Sequence, residues 1–213
     1  MMKEFTEKIN EQLDELKKLR AIGLSTTKEV IGESLFKQDL YSISLQDRCI
    51  RLNDGFVKMI ETRNLCCAGI LLRSQLDNCM RLFAYYIAAD KEKVVNSLFD
   101  PSIKIGSLKD IYGNRMTDSN LSEKLVKYDS RFRNVYVQAS GYVHHSEKSF
   151  YGMNTKIENL TLRLGIGADL SEEYDEILFE CIEAFVHYVK FQYWLIDPVI
   201  QSKKRFDLND NEE

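Results

Sequence analysis

Apolar residues recur along most of the chain at spacings of three and four, which is the period of an amphipathic α-helix. The most regular stripe is Leu65, Gly69, Leu72, Leu76, Cys79, Phe83 and Tyr86. Such a stripe predicts the seam of a helical bundle. A second stripe is Ile177, Cys181, Ala184, Tyr188, Phe191 and Leu195. It predicts a last long helix that ends at Asp197 and Pro198, because proline disfavours a continuing helix.

Two further helices are predicted before residue 65. A charged segment over residues 4–20 has one narrow apolar edge, which predicts a helix that docks on the bundle rather than forming its centre. Thr26 followed by Glu29 has the spacing of a capping box, so the next helix is predicted to begin there. Its apolar phase continues through residues 53–55, and we therefore predict one long helix up to about residue 60.

The period changes from helical to two in the segment that precedes the last helix. Leu160, Leu162, Leu164 and Ile166 alternate with polar or small residues, as in a half-buried strand. This pattern predicts a small β-hairpin at about residues 148–167. We predict an all-α fold: an antiparallel bundle of four to five main helices in a single domain over residues 1–200, with this hairpin inserted before the last long helix. The polar residues 201–213 are predicted to form a disordered tail.

Charge and cysteine usage narrow the class of protein. The net charge is -4, which argues against a protein that coats nucleic acid through bulk charge. A local basic region remains over residues 101–133, with seven Lys or Arg against four Asp or Glu. The five cysteines have no paired metal-type spacing and are predicted to be reduced core thiols of a cytoplasmic protein. No apolar run is long enough for a membrane span, so no membrane association is expected.

Two helical stripes carry the candidate chemistry. Arg73 and Asp77 are four residues apart on one predicted helix, and Tyr136, Ser140 and His144 follow at the same spacing on a later one. One interpretation is a buried polar network in which His144 donates to Asp77 and Arg73 neutralises the carboxylate. The other interpretation is an open site in which the same groups bind a phosphate or a nucleobase.

Motifs of several common sites are missing from the sequence. There is no phosphate-binding glycine loop, no dinucleotide fingerprint and no paired cysteine motif of a zinc site. Glu183 and His187 are one residue too far apart for the Glu-x-x-His pair of a di-iron bundle. We therefore predict neither a cofactor nor a metal site.

The combination of Arg73 and Asp77 with Tyr136, Ser140 and His144 resembles uncharacterised bacterial families of the HEPN-like (higher eukaryotes and prokaryotes nucleotide-binding) superfamily. The resemblance covers residues 65–149. It implies a helical bundle, often dimeric, of the kind found among toxin, antiviral-defence and RNA-processing proteins. Catalytic members of the superfamily carry an Arg followed by four to six residues and then a His, which together cleave RNA. In this chain no Arg stands at that distance before any of its histidines.

Two hypotheses about function follow. The first is a non-catalytic bacterial module that forms a homodimer and binds a partner protein or nucleic acid, in defence or stress response. Its candidate binding residues are a basic edge and two neighbours: Lys124, Lys127, Arg131, Arg133, Tyr136 and His145. The second is a ribonuclease with a non-standard catalytic set of Arg73, Ser140 and His144, in which His144 acts as general base on a 2'-hydroxyl. Asp77 is a further candidate catalytic residue.

Overall fold

The structure is a computed structural model, and it describes residues 6–144, 156–158, 161–163 and 174–210. These residues form seven α-helices: α1 Glu7–Ile31, α2 Lys37–Glu61, α3 Leu65–Ile87, α4 Lys91–Asn96, α5 Asp118–Leu125, α6 Phe132–Val143 and α7 Asp175–Asp210. A short 3-10 helix spans Ile105–Ser107 between α4 and α5. The predicted all-α class is confirmed. Four of the helices have 23 residues or more, and the other three have 12 or fewer.

Two short strands lie within the range of the predicted hairpin. β1 is Lys156–Glu158 and β2 is Thr161–Arg163, and they pair antiparallel with Ile157 opposite Leu162. The rest of the predicted range, 148–167, lies outside the described residues.

The long helices do not all alternate in direction. α2 runs antiparallel to α1 and to α3. α7, however, runs parallel to α1, since Glu15 pairs with Lys190 at 2.7 Å and Glu29 pairs with Lys204 at 2.6 Å. The prediction of an antiparallel bundle is therefore corrected for α7. The physical reason is that α6 runs antiparallel to α3 and has already returned the chain to the other end of the bundle.

The boundary between α1 and α2 also differs from the prediction. Thr26 does not begin a helix, because it lies inside α1, where its hydroxyl donates to the Ile22 carbonyl at 2.8 Å. The break comes at Gly32, whose φ of +57° suits glycine better than any other residue. α2 begins five residues later, and Asp39 caps it by accepting the Phe36 N–H at 2.9 Å.

The C-terminal part of α7 contradicts two predictions. The helix does not end at residues 197 and 198, and residues 201–210 are helical rather than disordered. Pro198 provides no N–H to the preceding turn, and the Tyr86 hydroxyl donates to the nearby Leu195 carbonyl. Lys203 is 5% exposed and pairs with Asp39 at 2.8 Å. This buried ion pair holds the end of α7 against the start of α2. The polar composition of residues 201–210 gave no indication of this contact.

The core lies where α3 meets α2 and α7. Five of the predicted core residues are buried, namely Leu76, Cys79, Phe83, Cys181 and Tyr188. Ala184 is half-buried. None of the five cysteines forms a disulfide, and Cys66 is exposed and Cys67 half-buried, so the prediction of core thiols is wrong for these two. No helix in the described part of the chain has the length and apolar character to cross a membrane.

Four amide side chains form a polar network inside this core, and we call it the inner seam: Gln46, Gln75, Asn78 and Gln192. Each is fully buried. Gln75 and Asn78 both donate to the side-chain oxygen of Gln192, each at 2.8 Å. The Gln192 amide nitrogen donates in turn to the Leu45 carbonyl at 3.0 Å. The inner seam thus fixes the register of α2, α3 and α7 through neutral hydrogen bonds.

Candidate functional site

Four of the residues singled out in the sequence meet between α3 and α6, and we call them the Arg73 cluster: Arg73, Asp77, Tyr136 and Ser140. The Arg73 Nε donates to Ser140 Oγ at 2.9 Å, and one Nη donates to the Tyr136 hydroxyl. The other Nη forms an ion pair with Asp77. The guanidinium carbon lies 3.8 Å from the centre of the Tyr136 ring, a cation–π contact.

Local packing explains why these side chains meet. Gly69 lies one turn before Arg73, and a Cβ at that position would overlap the ring of Tyr142 on α6. The missing side chain therefore lets α6 approach α3 closely. Ser140 also donates to the Tyr136 carbonyl at 2.8 Å, so its hydroxyl both accepts from Arg73 and donates within α6.

The Arg73 cluster acts as a clamp, because its hydrogen bonds hold α6 against α3. The side chains of Arg73 and Asp77 are 13% and 28% exposed and neutralise one another. Burial raises the pKa of the Tyr136 hydroxyl, which Arg73 lowers to a smaller extent. That hydroxyl is therefore protonated near neutral pH. Neither Tyr136 nor Ser140 provides a base, and the guanidinium is held on three sides.

His144 lies apart from this cluster. It is the exposed residue directly after α6, where φ of −101° and ψ of 139° turn the backbone out of the helix. The side chain consequently leaves the stripe that its spacing predicted. No hydrogen bond within the described part of the chain joins its ring to Asp77 or Arg73, so the predicted donation from His144 to Asp77 is wrong. His145 lies outside the described residues.

The predicted basic edge is largely paired with acids. Lys124 binds the buried Asp110 at 3.1 Å, and Arg133 pairs with Glu123. Lys127 is exposed. The fourth residue of the edge is Arg131, whose contacts belong to a different group of side chains.

That group is formed by Asp129, Arg131 and His187, between the start of α6 and the middle of α7. His187 Nε2 lies 2.8 Å from an Asp129 carboxylate oxygen, and an Arg131 Nη lies 3.3 Å from His187 Nδ1. The same Arg131 nitrogen lies 3.5 Å from His187 Nε2, so the guanidinium lies beside both ring nitrogens. Burial acts to raise the pKa of Asp129, but hydrogen bonds from the Arg131 backbone N–H and from His187 outweigh it and lower that pKa.

Aromatic rings continue from His187 along one side of α7, and we call this surface the aromatic strip: Tyr128, His187, Phe191 and Trp194. The rings of His187 and Phe191 are stacked, with their centres 6.3 Å apart, and those of Phe191 and Trp194 are stacked at 5.4 Å. Tyr128 meets Trp194 at 5.7 Å. Tyr128 is 56% exposed and Trp194, the single tryptophan of the chain, is 54% exposed. Phe191 is buried and supports them from below.

A groove of about 490 Å³ opens beside the aromatic strip, between α6 and α7. Arg131 and His187 stand at one end of the groove, and Tyr188 is buried in its floor. Within the described residues, no cluster of three or more His, Cys, Asp or Glu side chains has the arrangement of a metal site.

Spacing along the sequence could not have revealed this surface. Arg131 and His187 are 56 residues apart, and only the tertiary packing of α6 on α7 brings them together. One signal was available for Trp194. It falls outside the apolar stripe that contains Phe191 and Leu195, and a large aromatic residue off the buried stripe of a helix is expected at the surface.

No model of a known protein family matches the chain, and neither a curated protein nor a solved structure matches it.

Proposed function

We propose that this protein is a non-catalytic helical module that self-associates and binds a macromolecular partner through the aromatic strip. The observation that carries the proposal is the exposure of Trp194 and Tyr128 beside Arg131. Tryptophan, tyrosine and arginine are the residues that contribute most at binding surfaces. The HEPN-like resemblance and a role in bacterial defence or stress response remain part of this proposal.

Single-stranded nucleic acid is the partner that the aromatic strip supports best. Bases stack on exposed rings, and neighbouring cations contact the phosphates. Tyr128 and Trp194 provide the rings, and Arg131, which contacts His187 of the strip, provides an exposed cation. The exposed Lys127 directly precedes Tyr128 in the chain. Protein is the other class of partner, and the experiment below distinguishes it from nucleic acid.

Self-association is supported by a second surface, which we call the apolar end patch: Leu35, Phe36, Leu40, Phe99, Phe206 and Leu208. All six are exposed to at least 36%. Phe36 and Phe206 meet edge to face with ring centres 4.9 Å apart, and Lys37 lies 5.4 Å from the ring of Phe99. Exposed apolar side chains of this number at one end of a protein mark association sites.

The experiment measures binding of a labelled single-stranded oligonucleotide by fluorescence anisotropy. We expect Trp194→Ala to weaken binding by roughly 5- to 150-fold, since one stacked base contributes about 1 to 3 kcal/mol. Binding by the parent that falls steeply with salt would agree with phosphate contacts. If the parent does not bind any single strand at low salt, the partner is not nucleic acid.

A second variant tests self-association separately. Leu35→Asp places a charge in the apolar end patch at a residue that is 55% exposed, so the fold should be retained. We expect this variant to be monomeric in sedimentation or light scattering at concentrations where the parent is a dimer. Trp194→Ala should still dimerise, which makes each variant the control of the other. A parent that is monomeric at all concentrations would refute self-association.

The ribonuclease hypothesis receives no support from the geometry. Arg73 and Ser140 are bound to each other, and His144 lies outside their cluster. A general base must reach the proton that it removes. Cleavage of a single-stranded RNA by the parent, lost in His144→Ala, would favour that hypothesis over the non-catalytic one.

A further inference from the structure

A second pocket lies at the other end of α7, between the start of α2, the end of α3 and the region around Pro198. Its volume is about 270 Å³. It is lined by Phe36, Gln38, Asp39, Ser42, Tyr85, Tyr86, Lys91, Pro198, Val199, Ser202, Lys203 and Phe206. We call it the end pocket. It shares no residue with the aromatic strip or with the Arg73 cluster.

The end pocket has a charged floor. Asp39 and Lys203 are 4% and 5% exposed and form an ion pair of 2.8 Å. One carboxylate oxygen, Oδ2, accepts both from Lys203 and from the Phe36 N–H. The other oxygen, Oδ1, accepts no hydrogen bond within the described part of the chain. Asp39 lines the pocket, so this oxygen can accept a hydrogen bond from a ligand.

The rim of the pocket carries unused donors. Lys91 is exposed, and none of the described carboxylates lies within ion-pair distance of it. Its Nζ is 5.5 Å from the centre of the Tyr85 ring. Burial raises the pKa of Tyr85, and the charge of Asp39 raises it further, which places the Tyr85 hydroxyl in the field of that carboxylate. The pocket therefore combines a free acceptor at its floor with a free cation and a hydroxyl at its rim.

The remaining walls are apolar. Phe36 and Phe206 meet edge to face on one side, and Tyr86 and Pro198 contribute from α3 and α7. A ligand of this pocket should therefore have an apolar body. Small-molecule sites commonly have this composition, in which apolar walls surround a few convergent polar groups.

We propose that the end pocket binds a small zwitterion, namely a free α-amino acid with an apolar side chain. The ligand ammonium donates to Asp39 Oδ1, its carboxylate pairs with Lys91 and its side chain packs on Phe36 and Phe206. The inference is independent of the aromatic strip, but Phe36 and Phe206 also belong to the apolar end patch. Ligand titration tests the pocket, whereas the oligomeric state tests self-association, so the failure of one proposal is distinguishable from the failure of the other.

The charges of the pocket favour a zwitterion over a ligand with one charge. Asp39 and Lys203 neutralise each other, so Lys91 leaves the pocket with a net positive charge. A simple cation would be repelled by Lys91, and a simple anion would leave the Asp39 oxygen without a donor. Only a ligand with both groups satisfies the floor and the rim.

Isothermal titration with three related compounds tests the chemistry of the ligand. We expect L-phenylalanine to bind. Phenethylamine lacks the carboxylate and 3-phenylpropanoate lacks the ammonium, so each should bind at least about tenfold more weakly. Absence of binding by L-phenylalanine at millimolar concentration would overturn the proposal, and so would equal binding of either analogue.

Variants at the rim test the location. Asp39 holds α2 to α7 and its substitution would disturb the fold, so Lys91→Ala is the informative change. We expect it to weaken L-phenylalanine binding about tenfold without changing the melting temperature. The matched control is Lys93→Ala on the same helix, which removes an exposed lysine that pairs with Asp90 outside the pocket. Equal affinities of the two variants would show that the amino acid does not bind at this rim.

Discussion

Two seams of the bundle use polar side chains in different ways. The inner seam joins α2, α3 and α7 through four neutral amides that are fully buried. The outer seam joins α6 to α3 and α7 through the Arg73 cluster and through Asp129, Arg131 and His187, and both groups contain charged side chains that are partly exposed. Burying a charge costs far more than burying an amide, and the ion pair of Arg73 with Asp77 in the outer seam keeps partial contact with solvent.

The two sides of α3 have separate roles, because one side carries neutral amides and the other carries charged side chains. The inner seam is not completely satisfied, since Gln46 Nε2 and Gln75 Oε1 have no partner among the residues that the structure describes. Each buried amide atom without a hydrogen-bond partner lowers the stability of the fold by about 1 to 3 kcal/mol. The inner seam therefore contributes register and stability. The outer seam contributes a clamp, and beside it the binding surface.

The largest effect is expected from a change in the inner seam. Gln192→Ala removes the acceptor of both Gln75 and Asn78 and leaves a cavity, which should lower the free energy of unfolding by about 2 to 5 kcal/mol. Urea denaturation measures this loss. Gln201→Ala is the control, because Gln201 is exposed on the same helix and its side chain donates to the exposed Asp197. A loss below about 1 kcal/mol would show that the amide network contributes little.

A smaller effect is expected in the outer seam. Arg73→Ala leaves Asp77, Tyr136 and Ser140 without their shared donor, but water can reach part of the cluster. We expect a loss of about 1 to 3 kcal/mol in the same denaturation experiment. Arg51→Ala removes an exposed arginine of α2 that pairs with Asp47 and should cost less than about 1 kcal/mol. If the two variants are equally stable, the Arg73 cluster is not a clamp.

Acid should weaken the outer seam and not the inner one, because amides do not titrate. The pKa of Asp129 is lower in the folded chain than its ordinary value. Its contribution is therefore present above the ordinary carboxyl pKa of about 3.9 and is lost as the pH falls through the lower folded value. Stability of Asp129→Asn should fall less steeply below about pH 4 than that of the parent. Parallel pH profiles would contradict this assignment.

The smallest effect is expected from His144→Ala. The ring is exposed and makes no hydrogen bond to the Arg73 cluster, so the change should alter the free energy of unfolding by no more than about 0.5 kcal/mol. Thermal melting of parent and variant side by side measures it. A loss above about 1 kcal/mol would place His144 in the outer seam after all.

The residues show which features the sequence could predict. The apolar stripes gave the long helices and most of the core because burial repeats with the helical period. The spacing of Arg73 with Asp77, and of Tyr136 with Ser140, placed each pair on one helical face. The same rule failed for His144, since the helix ends one residue earlier.

Other features depend on contacts that no local pattern contains. Gln75, Asn78 and Gln192 resemble surface residues in the sequence, and only the packing of three helices buries them. Lys203 lies in a polar segment that resembles a frayed tail, yet it pairs with Asp39, 164 residues away. The aromatic strip likewise combines residues from two distant parts of the chain.

The central claim is that the Arg73 cluster is structural and that binding belongs to the aromatic strip. The most direct test is the affinity of the parent, Trp194→Ala and Arg73→Ala for one labelled single-stranded oligonucleotide, at a temperature where all three are folded. We predict that Trp194→Ala loses affinity by about tenfold or more while Arg73→Ala binds like the parent. The reverse result, with affinity lost in Arg73→Ala and retained in Trp194→Ala, would contradict the account and return the site to the Arg73 cluster.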